Sequence, residues 1–87
     1  MWVIEFGKEA VRDFQKVKRS PVADKVKTLL ALLAKNPFQS PPPYEKLMPP
    51  LAETYSRRIS RQHRLVYRVY KDENVVKVLR MWTHYGD

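Results

Sequence analysis

The chain has 87 residues, with 17 Lys and Arg against 9 Asp and Glu, a formal charge of +8 and a pI near 10.0. This reads as one small domain with an anionic partner. No apolar run approaches the roughly 18 residues of a spanning helix and no signal-like segment opens the chain, so a soluble, cytoplasmic protein is expected. The lack of cysteine rules out a disulfide framework, a thiol nucleophile and Cys-containing zinc sites. Two glycines argue against a phosphate-cradling Gly-rich loop, and 44% hydrophobic residues is too many for disorder.

Trp2, Ile4 and Phe6 alternate with Val3 and Glu5, which predicts a first strand over residues 2 to 6. From Lys8 the spacing becomes helical, with Ala10, Val11, Phe14 and Val17 toward a core and Lys8, Arg12, Lys16 and Arg19 toward water. Ser20-Pro21 predicts the start of a second helix, with Ser20 as N-cap and Asp24 in its first turn. Val22, Val26, Leu29, Leu30 and Leu33 form its apolar stripe, and Asn36-Pro37 ends it, the Asn as a left-handed C-cap. Residues 36 to 54 hold six of the seven prolines. That density predicts a long loop with neither helix nor ladder pairing, pegged to the body by Leu47 and Leu51.

Three strands follow, Tyr55 to Ser60, Arg64 to Tyr70 and Val75 to Trp82, the last two joined by a polar turn at Lys71-Asp72-Glu73-Asn74. The order β-α-α-β-β-β implies an α+β fold in which a helical hairpin covers one face of a small antiparallel sheet and leaves the other open.

Between Tyr55 and Tyr70 stand five arginines, Arg57, Arg58, Arg61, Arg64 and Arg68, and no acid. The apolar residues of these two strands fall on odd positions, so an odd-membered turn such as Arg61-Gln62-His63 aligns their faces. The even face then carries Ser56, Arg58, Ser60, Arg64 and Arg68. Like charges set opposite one another are unfavourable, which points to a bound polyanion or a nearby carboxylate, with a solvated strand face as the alternative. Arginine forks suit phosphate oxygens, and Tyr70 and Trp82 offer stacking surfaces, whereas Tyr55 and Tyr67 fall on the core side.

A metal-free ribonuclease needs a base for the 2′-hydroxyl, cations for the phosphorane and an acid for the departing 5′-oxygen. Glu45 is a lone carboxylate among basic residues, His84 titrates near neutrality, and Arg58 and Arg64 supply cations. His63, in the turn, reads as structural or solvent-facing. With His63 and His84 the only histidines, no zinc site is supported and no cofactor or metal is called for.

The run Ser56-Arg57-Arg58-Ile59-Ser60-Arg61-Gln62-His63-Arg64-Leu65-Val66-Tyr67 closely resembles the S-R-R-I-x-x-x-H-R-L-V-Y signature of the YoeB/Txe toxins, members of the RelE/ParE superfamily of type II toxin–antitoxin systems. The resemblance extends to Pro43-Tyr44-Glu45-Lys46-Leu47 as P-x-E-x-L and to the terminal His84-Tyr85 pair. It implies a messenger-RNA endonuclease that acts in the ribosomal A site, inhibits translation and is silenced by an acidic YefM/Axe-type antitoxin. It further implies Glu45 as general base, His84 as general acid, Arg64 on the transition-state phosphate, Arg58 assisting and Tyr85 completing the site. Arg57, Arg58, Arg61, Arg64, Arg68 and Lys46 are the expected RNA contacts. A homodimer stays open.

Three departures accompany the resemblance. Tyr44-Glu45 replaces the family's usual Pro-Glu, Ala52-Glu53 replaces Ser-Gly, and Gly86-Asp87 extends past the usual terminal Tyr. Strand parity adds a condition. If the Lys71 to Asn74 turn pairs even with even residues, Arg64, Arg80 and His84 share a face. If it pairs Tyr70 with Val75 they do not, unless the chain bends after Trp82. Val75, Leu79 and Met81 compete with Val76, Val78 and Trp82 as the buried row. Two rival functions remain: a gyrase-binding toxin of the ParE branch, and a non-catalytic RNA-binding module.

Overall fold

The computed structural model describes residues 1–47 and 53–82. Within them lie β1 (Val3–Phe6), α1 (Lys8–Val17), α2 (Ala23–Lys35), β2 (Glu45–Lys46), β3 (Thr54–Arg58), β4 (Arg64–Tyr70) and β5 (Val75–Arg80). The strands form one sheet in the order β1-β5-β4-β3-β2. The expected helical hairpin and β3–β4–β5 meander are present, but the sheet is mixed, because β1 runs parallel to β5. A parallel neighbour needs a long crossover; here everything between β1 and β5 serves as one. No helix among the described residues is long and apolar enough to cross a membrane.

On α1 the buried row is Ala10, Asp13 and Val17, spaced three and four apart. Val11, expected in the core, is 52% exposed, since at about 100° per residue it falls on the flank of that row. Val26, Leu29 and Leu33 of α2 are buried as the stripe predicts. Ser20 does not cap α2. Its hydroxyl donates to the Val17 carbonyl (2.7 Å) and accepts from the Val22 amide (3.3 Å), closing the turn between the helices. Asn36 is extended at φ −160° rather than left-handed, because a residue preceding proline is pushed out of helical geometry. Its side-chain oxygen accepts from the Phe38 amide instead.

Odd residues of β3 and β4 do face the helices: Tyr55, Leu65, Tyr67 and Val69 join Val76 and Val78 of β5 in the core. The β4–β5 hairpin pairs Tyr70 with Val75, then shifts register between Tyr67↔Val78 and Val66↔Arg80. This bulge resolves the two competing rows of the last strand. The buried side runs Val76, Val78 and then Met81, taking members of both. The second face of the sheet is less open than expected, since Thr54, Ser56 and Val66 are buried.

Rings tie down the described part of the proline-rich segment. Phe38 meets Trp2, Tyr44 and Tyr55 edge-on or tilted at 6.4, 6.3 and 5.4 Å, Tyr44 meets Tyr55 at 5.7 Å, and Tyr55 stacks on Tyr67 at 5.8 Å. Burial raises the pKa of the Tyr55 and Tyr67 hydroxyls, so both rings stay neutral. Leu47 is half-buried, and Leu51 lies outside the described residues. Ladder pairing is not forbidden there. The proline-free pair Glu45–Lys46 adds an edge strand to β3, extended by the Leu47 amide donating to the Thr54 carbonyl at 2.8 Å, because an edge strand has to satisfy only one side.

Candidate active site

Three strands bring the chemistry together. Arg58 ends β3 and Arg64 begins β4, and the two are direct cross-strand partners. The turn between them, residues 59–63, is odd-membered as parity demands. It is closed by the Ile59 amide donating to the His63 carbonyl (2.9 Å) and by the Ser60 hydroxyl accepting from the Gln62 and His63 amides. Glu45 pairs with Ser56, which puts it on the same sheet face as Arg58 and Arg64. Its Oε1 lies 4.0 Å from Arg64 Nη1, with the Glu45 side chain 73% and the Arg64 side chain 25% exposed. Pro43, Tyr44, Glu45, Ser56, Arg58 and Arg64 line a cleft of about 290 Å³.

An exposed carboxylate and two guanidinium groups lining one cleft offer a proton acceptor beside a site for a doubly charged phosphorane. The loose Glu45–Arg64 contact adds only a few tenths of a kcal/mol to stability, so Glu45 is held by the backbone pairing of β2 and not by its charge. The Tyr44 that replaces the family's proline is an anchor: its ring packs on Phe38 and Tyr55 and lies 4.8 Å from the Arg57 guanidinium.

One expected RNA contact is corrected, and the described geometry sets another, the exposed Lys46, away from the cleft. Arg57 is 1% exposed. It stands at an odd position between Tyr55 and Ile59 and points into the protein, where its guanidinium donates to Tyr67 Oη and to the carbonyls of Pro42, Pro37 and Gln39. Lys46 pairs with Tyr55 and therefore projects from the opposite face to Glu45. Arg61 is exposed at the hairpin tip, and Arg68 is exposed with its guanidinium 5.1 Å from the Tyr70 ring. His63 is buried and stacks on Trp82 at 4.0 Å, in keeping with a structural place and removing that indole face as a platform for a base. His84 and Tyr85 lie outside the described residues, as do the departures at Ala52, Gly86 and Asp87. No group of three or more His, Asp or Glu side chains among the described residues forms a metal cluster.

Sequence reasoning missed Asp13. This buried carboxylate accepts from Arg80 Nε at 2.8 Å and from the Met81 and Trp82 amides at 2.9 and 3.3 Å. Burial alone raises its pKa, but the Arg80 hydrogen bond and charge and the two amides outweigh that and hold it below the usual 3.8. Asp13 thus fixes the chain where it leaves β5, just ahead of His84. Beyond the bulge Arg80 pairs with Val66, an even residue of β4 on the Arg64 face, but its guanidinium is committed to Asp13 on α1. The sequence signal was an acid at a core-facing helical position.

The description "YoeB-like toxin of bacterial type II toxin-antitoxin system" matches residues 6–85. The chain belongs to this family. Among solved structures, a YoeB/ParE toxin from Agrobacterium tumefaciens is 26% identical, with 95% of this chain and 99% of that one covered at a TM-score of 0.85. A chain of the YoeB–YefM complex from Staphylococcus aureus is 31% identical, with 98% and 99% covered at a TM-score of 0.79. The E. coli DinJ–YafQ complex, at 21% identity, 97% and 94% coverage and a TM-score of 0.82, shares the fold. A search of curated proteins gives no match. For a YoeB-like toxin the left-handed φ of 58° at Glu53 is informative: the resemblance puts glycine at this position, and the backbone conformation is one glycine adopts freely.

Proposed function

We propose that this toxin is a metal-independent, ribosome-dependent mRNA endoribonuclease that inhibits translation in the bacterial cytoplasm. The observation that carries the reading is the convergence of Glu45, Arg58 and Arg64 on one cleft. Glu45 takes the proton of the substrate 2′-hydroxyl, and the resulting oxygen attacks the adjacent phosphorus. Arg64, with Arg58 opposite it, neutralises the charge that accumulates on the phosphorane oxygens. His84 gives a proton to the departing 5′-oxygen, and Tyr85 completes the terminal part of the site. The products are a 2′,3′-cyclic phosphate, or the 3′-phosphate that water makes of it, and a free 5′-hydroxyl. Arg61 and Arg68 extend the basic face along the RNA.

An acidic antitoxin segment is the expected protein partner, as the YefM component is in the S. aureus complex, and self-association has its parallel in the S. aureus YoeB dimer. Primer-extension mapping of translated and untranslated messages tests the reading. Wild type cuts translated messages, and Glu45→Ala or His84→Gln abolishes both cutting and growth arrest while the fold persists. Full toxicity in both variants sinks the mechanism. A DNA-damage response without shortened transcripts would indicate the gyrase-binding alternative.

A further inference from the structure

The first arginine of the signature hairpin is buried, and its bonds show what it does. Arg57 Nη1 donates to the Pro42 carbonyl at 2.6 Å, and Nη2 donates to the Pro37 and Gln39 carbonyls at 3.0 and 2.8 Å. Its Nε donates to Tyr67 Oη at 3.1 Å, and that hydroxyl donates in turn to the Pro37 carbonyl at 3.0 Å. Tyr44 closes over the guanidinium at 4.8 Å. The segment between α2 and β2 cannot use a ladder to satisfy these carbonyls, and its prolines donate nothing. A buried carbonyl without a donor costs about 1–3 kcal/mol. One planar fork on a rigid strand meets several of them at once, from an angle that a lysine ammonium does not reproduce.

We propose that Arg57 is a positioning residue for the base: it holds residues 37–44 on β3 and β4 so that Glu45 enters β2 facing Arg58 and Arg64, and it does not touch RNA. The coupling is short. Arg57 sits one residue from Arg58 in β3, and Tyr44, stacked on its guanidinium, sits one residue from Glu45. The same side chain therefore fixes the separation between the carboxylate and the cations. The proposal rests on the nuclease reading for its catalytic consequence, while the loop placement stands without it.

Arg57→Lys keeps the charge and loses the fork. Cleavage is measured on ribosomes programmed with a short message, at a temperature where the variant is fully folded. Hydrogen exchange is followed at the Leu47 amide, which bonds Thr54 in the β2–β3 ladder, with the Val26 amide in α2 as reference. The expected result is a kcat lowered roughly 10- to 100-fold, the loss that an ångström of misplacement brings. KM stays within about twofold and the salt dependence is unchanged, while Leu47 exchange quickens at least tenfold more than Val26 exchange. Unchanged kcat in the folded variant overturns the proposal, as does a raised KM with a shallower salt slope, the mark of a lost phosphate contact. So does exchange that quickens equally at both amides, the mark of a merely structural role. Should Arg57→Lys fail to fold, Tyr67→Phe removes two bonds of the same network, from Arg57 Nε and to the Pro37 carbonyl, and gives the same pattern at severalfold magnitude. If wild type cuts no RNA but Leu47 responds as stated, the nuclease reading falls and the loop-holding role survives.

Discussion

Replacing Asp13 separates two things its carboxylate does: accepting from backbone amides and balancing a cation. In Asp13→Ala the Met81 amide, at a buried position, loses its acceptor, at about 1–3 kcal/mol. The half-buried Trp82 amide adds up to about 1 kcal/mol. Arg80, whose side chain is 38% exposed, turns to water and adds little. The sum is about 1–4 kcal/mol, a large share of the roughly 5–10 kcal/mol that holds a domain of this size. Asp13→Asn keeps a carbonyl oxygen for the amides and loses only the charge, for about 1 kcal/mol. At roughly 4–8 °C per kcal/mol, thermal melts at pH 7 should rank wild type above Asn and Asn well above Ala. The Asp13 pKa is lower folded than unfolded, so its ionised form stabilises the fold above the unfolded value of about 3.9, and the benefit fades as pH falls through the folded value. The gap between wild type and Asn should therefore close below about pH 4. Equal losses in the two variants, or a gap that persists into strong acid, would refute this account of the clamp.

Glu53→Gly relieves the left-handed backbone at φ 58° and removes a carboxylate whose Oε2 is buried without a hydrogen bond among the described residues, 4.0 Å from Lys71 Nζ; a gain of about 0.5–1 kcal/mol is expected in chemical denaturation. Arg58→Gln removes one of two directly opposed cations, so the melting temperature should rise slightly, by the equivalent of a few tenths of a kcal/mol, while cleavage falls roughly 100-fold in single-turnover assays. Arg64→Lys retains the charge without the fork and should lower kcat roughly 10- to 100-fold with the melt unchanged.

Much of the fold was legible because two periodicities are unusually clean here: three-and-four spacing in α2, and the odd-numbered apolar row of β3 and β4. The odd-membered turn followed from those rows and put Arg58 and Arg64 on one face, but not its length: a turn of Arg61-Gln62-His63 would set Ser60 opposite Arg64, whereas the turn over residues 59–63 sets Arg58 there. The same parity put Arg57 on the inner face. Naming it an RNA contact let the charge of arginine outweigh its position. Three features were not legible because they arise from tertiary partners. The bulge that carries β5 from Val78 to Met81 leaves no mark in a strand where every residue from Val75 to Met81 except Lys77 and Arg80 is apolar. Asp13 is polar in sequence and buried in space because Arg80 and two amides, nearly 70 residues away, meet it there. β2 hides among prolines because pairing on one edge requires only two permissive residues.

The site is assembled from parts of unequal rigidity. Arg58 and Arg64 are fixed by a ladder at the heart of the sheet, and their mutual repulsion is a standing cost that a covalent backbone can bear. Glu45 comes from a two-residue edge strand at the end of a segment with no ladder of its own, and depends on Arg57, Tyr44 and Phe38 for its place. An anion in the cleft lowers the repulsive cost whether it is a scissile phosphate or an acidic side chain of an antitoxin, so on the proposed reading substrate and inhibitor draw on the same electrostatic gain and exclude one another. They differ in what they ask of Glu45. RNA needs the carboxylate free to take a proton, whereas an acidic inhibitor is repelled by it and so has to gain its surplus elsewhere on the surface. On the same proposed reading, the carboxylate that makes the cleft catalytic is also the group that stops the arginine pair from being a sufficient docking site for the inhibitor.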